Sequence, residues 1–402
     1  MLHTEIDPVA DNGMFRSLRH RNARIYFAGL LVSNVGTWLQ FTATSYLLYS
    51  LRGRATDIGL NTLFQFLPML LLGAWAGGFA DRHDRRTVML WTQTGLGLQA
   101  IALGVADLAG HASVGLVYAA SMVMGIVNAI DNPSRRGLVT ELVEPRDIPN
   151  AMSLNTSVMT GSRVFGPALA ALLIAPLGPG WLFVLNGVSY LAIIGCVLAM
   201  DTSEMFTPER APRTARPVRE GLAFVWHDDV LRRTFIMFTV VSTFAFNYGV
   251  VLPKLCDVKW GHPGAFGWML TTISVGSIVG SLLTARLVRV TESWFAAAAC
   301  MCGLSAIALA WSPNIVLAFA IALPLGVGGT ALVASMNALS QQNTPSEMRS
   351  RMLALVAVAF LGSTPIGGPV TGFVADHVGI EWSLAYGGFV TLACLPMLRR
   401  TR

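Results

Sequence analysis

The chain has 402 residues, 53% of them hydrophobic and only 12% charged, with a formal net charge of +6; soluble domains carry about 25% charged residues, so a string of soluble domains is excluded in favour of one integral membrane unit. The basic excess forms no stripe interleaved with aromatics, which excludes a nucleic-acid surface. The five cysteines, Cys196, Cys256, Cys300, Cys302 and Cys394, fall mostly inside apolar runs without metal or redox spacing and read as small core hydrophobes.

Residues 1 to 23 carry acids, Pro8 and several arginines but no apolar core, which predicts a tail rather than a cleaved signal peptide. Twelve apolar stretches of 19 to 27 residues follow, each long enough for about 30 Å of hydrocarbon. The first six cover residues 24 to 50, 57 to 80, 87 to 108, 113 to 131, 150 to 176 and 180 to 200. The second six cover 231 to 253, 264 to 286, 293 to 311, 314 to 338, 350 to 375 and 380 to 398, before a short tail at 399 to 402. In the linker at 201 to 230, Pro208, Pro212 and Pro217 break any helix before Val218. Val218, Leu222 and Val225 then recur at helical spacing beside Arg219, Glu220, Asp228 and Asp229, predicting a short amphipathic helix on the membrane surface. The expected fold class is all-α and integral to the membrane, with six-helix units at 24–200 and 231–398.

Residues 77 to 87, Gly-Gly-Phe-Ala-Asp-Arg-His-Asp-Arg-Arg-Thr, put five charges and a histidine between the second and third spans, predicting a tight loop outside the hydrocarbon. Counting Lys and Arg on alternate sides places 23 with the N-terminus and four (Arg52, Arg54, Lys254 and Lys259) opposite, and leaves Arg163 inside the membrane. By the positive-inside rule, both termini and this loop are expected to be cytoplasmic. The two halves also resemble each other: Pro145 aligns with Pro345 and Met152 with Met352, and beyond each lies a Gly-Pro pair, Gly166-Pro167 and Gly368-Pro369. Matches in the same order argue for a duplicated unit, a common plan in transporters.

Over nearly its whole length the sequence resembles the major facilitator superfamily, and within it exporters like the bacterial enterobactin and multidrug efflux permeases. Gly77, Asp81, Arg82, Arg85 and Arg86 match the family's loop signature Gly-x-x-x-Asp-Arg-x-Gly-Arg-Arg/Lys, with Asp84 in place of the usual Gly. The resemblance implies a cytoplasmic latch between the halves, with Asp81 facing the start of the eleventh helix near Ser350 and a later Arg paired with an acid at the inner end of the fourth, here Asp131. A carboxylate at a helix N-terminus and a bidentate Arg–acid pair are contacts able to bias a two-state switch. In the second half, the equivalent loop keeps Gly280, Arg286 and Arg289 without an acid. Gly166-Pro167 matches part of the family's antiporter signature, with Ser162, Ala170 and Ala171 replacing three of its glycines; both a coupling element and a packing bend remain open.

Arg163 lies near the middle of the fifth span, where a charge needs a wet cavity or a partner. No acid lies at that depth: Asp57 and Asp107 sit near the outer ends, Asp81 and Asp131 near the inner ends. Two readings stand side by side: an anionic or strongly hydrogen-bonding substrate, or satisfaction by backbone carbonyls and side-chain oxygens of neighbouring helices. Gln40, Phe41, Gln65, Phe244, Asn247 and Tyr248 lie at comparable depth and outline an aromatic, weakly charged substrate pathway suited to a bulky amphiphile, although each alone also suits helix packing.

There is no Gly-x-x-x-x-Gly-Lys-Ser/Thr loop, and the seven histidines show no metal-ligand spacing. The expectation is therefore a non-enzyme without metal or cofactor, driven by an ion gradient that the resemblance identifies with protons. It is expected to act as a monomer of the bacterial inner membrane whose partners are a small organic substrate, protons and membrane lipids. The leading function is export of a drug-like molecule or siderophore; uptake, lysophospholipid flipping and a non-transporting sensor are the rivals.

Overall fold

The computed structural model describes residues 15–80, 82–206, 217–345 and 348–398, apart from the side chains of Ala74, residues 217–221, Ser350 and Leu361. Asp81 and the expected contact at Ser350 therefore lie outside the described residues, as do the tail at 399–402 and the proline-rich part of the linker.

Among the described residues the chain is helical with no strand. The first half carries α1 (Arg21–Arg52), α2 (Ala55–Ala80), α3 (Arg85–Leu108), α4 (Val114–Glu141) and α5 (Ile148–Leu198). After the linker come α6 (Pro217–His227), α7 (Asp229–Ala245), α8 (Tyr248–Lys254), α9 (Phe266–Ala285) and α10 (Glu292–Ala310). The chain ends with α11 (Ile315–Gln342), α12 (Arg349–Leu361), α13 (Thr364–His377) and α14 (Ile380–Cys394). Polar turns stop the apolar runs and supply caps: Asp84, Ser113, Asp228, Thr291 and Asn314 each accept a backbone N–H from the helix that follows.

Nine stretches among the described residues are long and apolar enough to cross a membrane. One of them, Pro145–Leu198, bends where Gly178 adopts a φ of 77° between Pro176 and Pro179, and so covers the fifth and sixth expected spans. Of the other expected spans, α1 is long but interrupted by polar residues such as Asn34, Gln40 and Thr44, and α14 is short at 15 residues. Two expected spans are broken. The seventh divides at Phe246-Asn247 into α7 and α8, and the eleventh at Gly362-Ser363 into α12 and α13, where Pro365 in the first turn of α13 cannot donate back to the preceding helix. The linker helix α6 is pinned: Val225 is buried with Leu231, Met352 and Leu355, while Leu222 and Trp226 remain exposed.

The apolar packing divides the bundle lengthwise. At the end carrying residues 15–22 and 395–398, here the terminal end, each half has its own core, around Tyr26, Met89 and Leu138 in the first half and around Phe238, Phe295 and Met336 in the second. At the opposite, distal end one core runs through both halves and includes Leu48, Ile58, Phe183, Leu255 and Phe266. Outside, Trp75, Trp91, Leu98, Leu172 and Leu191 stand 58–75% exposed, a rim that suits hydrocarbon rather than water. The halves are thus welded at one end and packed separately at the other.

Candidate functional site

At the terminal end Asp84, Arg85 and Arg86 of the polar loop pack onto their own half. Asp84 caps α3, accepting the Thr87 N–H at 2.7 Å. Arg85 donates to Glu141 Oε1 at 3.0 Å, passing over Gly137 of α4, where a Cβ would lie 2.5 Å from the guanidinium. Arg86 donates to the Val197 and Leu198 carbonyls, both at 3.0 Å, at the end of α5 where the helix carries its negative pole. Arg82 is exposed, and beside Gly77 there is open space. Asp131 does not take the expected arginine. It is 1% exposed and accepts from Thr92 Oγ1 at 2.7 Å and Gln93 Nε2 at 2.8 Å, with Arg135 Nε 3.6 Å away. The reason is length: α4 runs ten residues past Asp131, so it is Glu141 that comes opposite Arg85. Nearby, outside the spans, hydrogen bonds from the Ser203 side chain and backbone hold the Asp201 carboxyl below the usual carboxylate range.

The expected pathway residues separate into two groups. Gln40 is buried inside the first half, where it donates to Gln99 at 3.3 Å and accepts from Asn186. Gln65 is buried against Met124 of α4, and Asn247 folds back onto the Thr243 carbonyl at 2.6 Å. These three are spent on helix packing. Phe41 pairs with Trp38 at 5.1 Å between ring centroids and Phe244 with Tyr386 at 6.1 Å, while Phe41, Phe244 and Tyr248 keep partial exposure.

Arg163 belongs with the second group. It stands fifteen residues from Ile148 and fifteen from Gly178, midway along the first limb of α5, about 22 Å from either end at 1.5 Å per residue. Its guanidinium lies 5.0 Å over the Trp38 ring and within electrostatic reach of Tyr248 in the second half. No hydrogen bond or ion pair to it is seen among the described residues. A cation at that depth costs about 2.5–3.5 kcal/mol on insertion scales, and stacking on an aromatic face returns about 0.5–2 kcal/mol. Among the described residues the charge is incompletely satisfied.

The two Gly-Pro pairs both lie where the halves meet. A Cβ on Gly368 would collide with Thr62 of α2, and one on Gly59 of α2 would strike the Gly368 carbonyl, with Pro369 Cα at 3.1 Å. In the other seam, a Cβ on Gly267 of α9 would lie 2.9 Å from the Pro167 carbonyl and 2.7 Å from Ala171 Cβ, while Gly166 backs onto Trp38. Proline lacks an N–H and thins the helix, and glycine brings the backbones together. Each pair sits in a helix–helix seam, α13 against α2 and α5 against α9.

The distal end adds a cluster the sequence does not announce. Asp376, at the end of α13, accepts the Ala55 N–H at 3.1 Å, the Thr56 N–H at 2.8 Å and the Thr56 hydroxyl at 2.6 Å, capping α2 from the other half. Lys254 donates to Asp376 at 2.6 Å, and Tyr49 of α1 donates to Asp257 at 2.7 Å. Lys259 bonds Glu381 at 3.0 Å and the Ala310 carbonyl at 2.8 Å. The chain's two lysines are both held here. Their partners lie 122 residues further along, which is why spacing alone could not reveal them.

Among the described residues the chain is a helical bundle whose two Gly-Pro pairs lie in seams between the halves, a plan common in polytopic transporters. The sequence matches the transmembrane secretion effector family over residues 12–402. The chain belongs to this family of major facilitator transporters. It is 22% identical over 381 residues to the staphyloferrin A transporter of Staphylococcus aureus, covering 93% of this chain and 94% of that one. It is 24% identical over 386 residues to the multidrug efflux pump Tap of Mycolicibacterium fortuitum, covering 93% and 92%. In structure it resembles a bacterial homologue of the human lysosomal transporter Spinster, with a TM-score of 0.69 at 14% identity over 94% of this chain and 95% of that one, a likeness of fold. The chain is accordingly a multi-pass membrane transporter of a small molecule.

Proposed function

We propose that this protein is a secondary active exporter, moving a bulky organic molecule out of the cytoplasm by alternating access and driven by protons. Twelve spans in two pseudo-symmetric six-helix bundles, at 24–200 and 231–398, with both termini cytoplasmic, are part of the same proposal, as is action by a monomer of the bacterial inner membrane. What carries the reading is the lengthwise division of the core: one shared core at the distal end and separate cores at the terminal end are what a two-bundle carrier open toward the cytoplasm requires. The relatives' printed roles, a siderophore transporter and a multidrug efflux pump, support a large organic cargo. In this reading the loop at Gly77, Asp81, Arg82, Arg85 and Arg86 latches the two halves together when the terminal end closes, with Glu141 holding Arg85 in register.

Cells with and without the protein, loaded with a panel of drugs and siderophores, test this directly. Faster efflux of at least one compound, lost when a protonophore collapses the gradient, is expected; efflux rates that are identical across the panel would refute export.

A further inference from the structure

We propose that Arg163 and Trp38 form the anchor for a carboxylate borne by the transported molecule, so that the cargo class is an organic anion with a flat apolar body. The identity of this anion as cargo rests on the exporter reading; its binding does not.

The first support is direction. At about 100° per residue along a helix, Ala170 and Ile174 lie within about 20° of Arg163, and they are 0% and 8% exposed. Phe165 and Leu172 fall on the opposite side and are 62% and 58% exposed. Arg163 therefore points between the halves, away from the lipid rim, yet its own side chain is exposed. The second is the absence of a counterion for Arg163 among the described residues. Among the described residues the acids of the spans lie elsewhere: Asp57 bonds Tyr118 at 2.9 Å, Asp131 bonds Thr92 and Gln93, Asp257 bonds Tyr49, Asp376 bonds Lys254 and α2, and Asp107 sits at the end of α3 beside the Gly180 backbone. The third is geometry. The guanidinium carbon lies 5.0 Å over the Trp38 ring, and the planar N–H fork of a guanidinium receives a carboxylate bidentately. The Trp38–Phe41 ring pair, 5.1 Å between centroids, continues the apolar surface beside it. A depth of about 22 Å from either end of the limb keeps lipid phosphates, which lie at the membrane surface, out of reach.

The test uses the purified full chain in phosphatidylcholine nanodiscs and three probes sharing one body: 2-naphthoate, its methyl ester and 2-naphthylmethylammonium. Naphthoate is expected to bind at least tenfold tighter than the other two. Arg163→Gln should bring the three affinities together, and Arg163→Lys should keep their order with a weaker preference, which separates a lost charge from a misfolded protein. Exchanging the lipid for phosphatidylglycerol should leave naphthoate affinity within twofold; its loss there would assign the site to a lipid headgroup and overturn the proposal. No measurable naphthoate binding, no anion preference in the wild-type protein, or a preference unchanged by Arg163→Gln would equally overturn it. Binding needs no gradient. Gradient-driven efflux of a cationic dye without anion preference would defeat this assignment and leave export standing, whereas anion binding without any transport would do the reverse.

Discussion

Replacing Asp376 by Asn should loosen the distal end. Three hydrogen bonds from α2 to this carboxylate cross between the halves, two from the Ala55 and Thr56 amides and one from the Thr56 hydroxyl. Water would take their place on opening, so each is worth about 1 kcal/mol net, and the negative charge at the α2 N-terminus adds about 0.3–1 kcal/mol. Lys254 lies in the same half as Asp376 and stays with it on opening, so it contributes little to the difference. The whole set is worth about 3–4 kcal/mol; Asn keeps one acceptor oxygen and so loses about 2 kcal/mol, or roughly a thirtyfold increase in the ratio of distal-open to distal-closed molecules. Ala375, 3% exposed in the shared core, reports that ratio. In a background lacking the native cysteines, the labelling rate of Ala375→Cys by a polar maleimide follows the open population even when that population is small. Asp376→Asn should raise the rate roughly thirtyfold, and Thr56→Val, which removes one of the three bonds, about fivefold. Equal rates in all three proteins would refute the idea that this carboxylate holds the distal end shut.

Gly368→Ala drives a methyl group into Thr62 and should cost about 1–3 kcal/mol at the α2–α13 seam; loss of transport with the protein still in the membrane is expected, checked by efflux from matched cells. Asp131→Ala leaves Arg135 beside a buried void and should lower thermal stability by about 3 kcal/mol. Glu141→Ala breaks a pair whose side chains are each 22% exposed and should cost under about 1 kcal/mol. Heating the detergent-solubilised proteins and scoring monodispersity compares the two; a larger loss for Glu141→Ala would show that the roles of the two acids are reversed.

The all-helical membrane fold was legible because hydrocarbon demands long apolar runs, and the gap between the apolar stretches at residues 176 and 180 falls at the bend at Gly178. The breaks at Phe246-Asn247 and Gly362-Ser363 were not, since both lie inside continuous apolar stretches where tertiary packing decides the backbone. Residues 77 to 87 read clearly as a loop, but the partner of Arg85 did not: an apolar count ends the fourth span near Asp131, whereas the helix continues through polar residues to Glu141. By sequence Gln40, Gln65 and Asn247 share the depth of Arg163, and depth cannot tell a residue facing its own bundle from one facing the other. The Gly-Pro repeats were visible as a pattern, and only their opposite partners, Gly59 with Thr62 and Gly267, reveal them as seams. Asp376 and Lys254 become a pair only when α13 reaches α8, a contact no local spacing encodes.

Direction and driving force meet in one measurement: accumulation of a cargo compound inside everted inner-membrane vesicles that carry the protein, with and without an imposed proton gradient, acid inside. Export by proton exchange predicts uphill accumulation that appears with the gradient, collapses with a protonophore and is absent from vesicles without the protein. Accumulation that ignores the gradient, or that occurs only in right-side-out vesicles, would contradict the account.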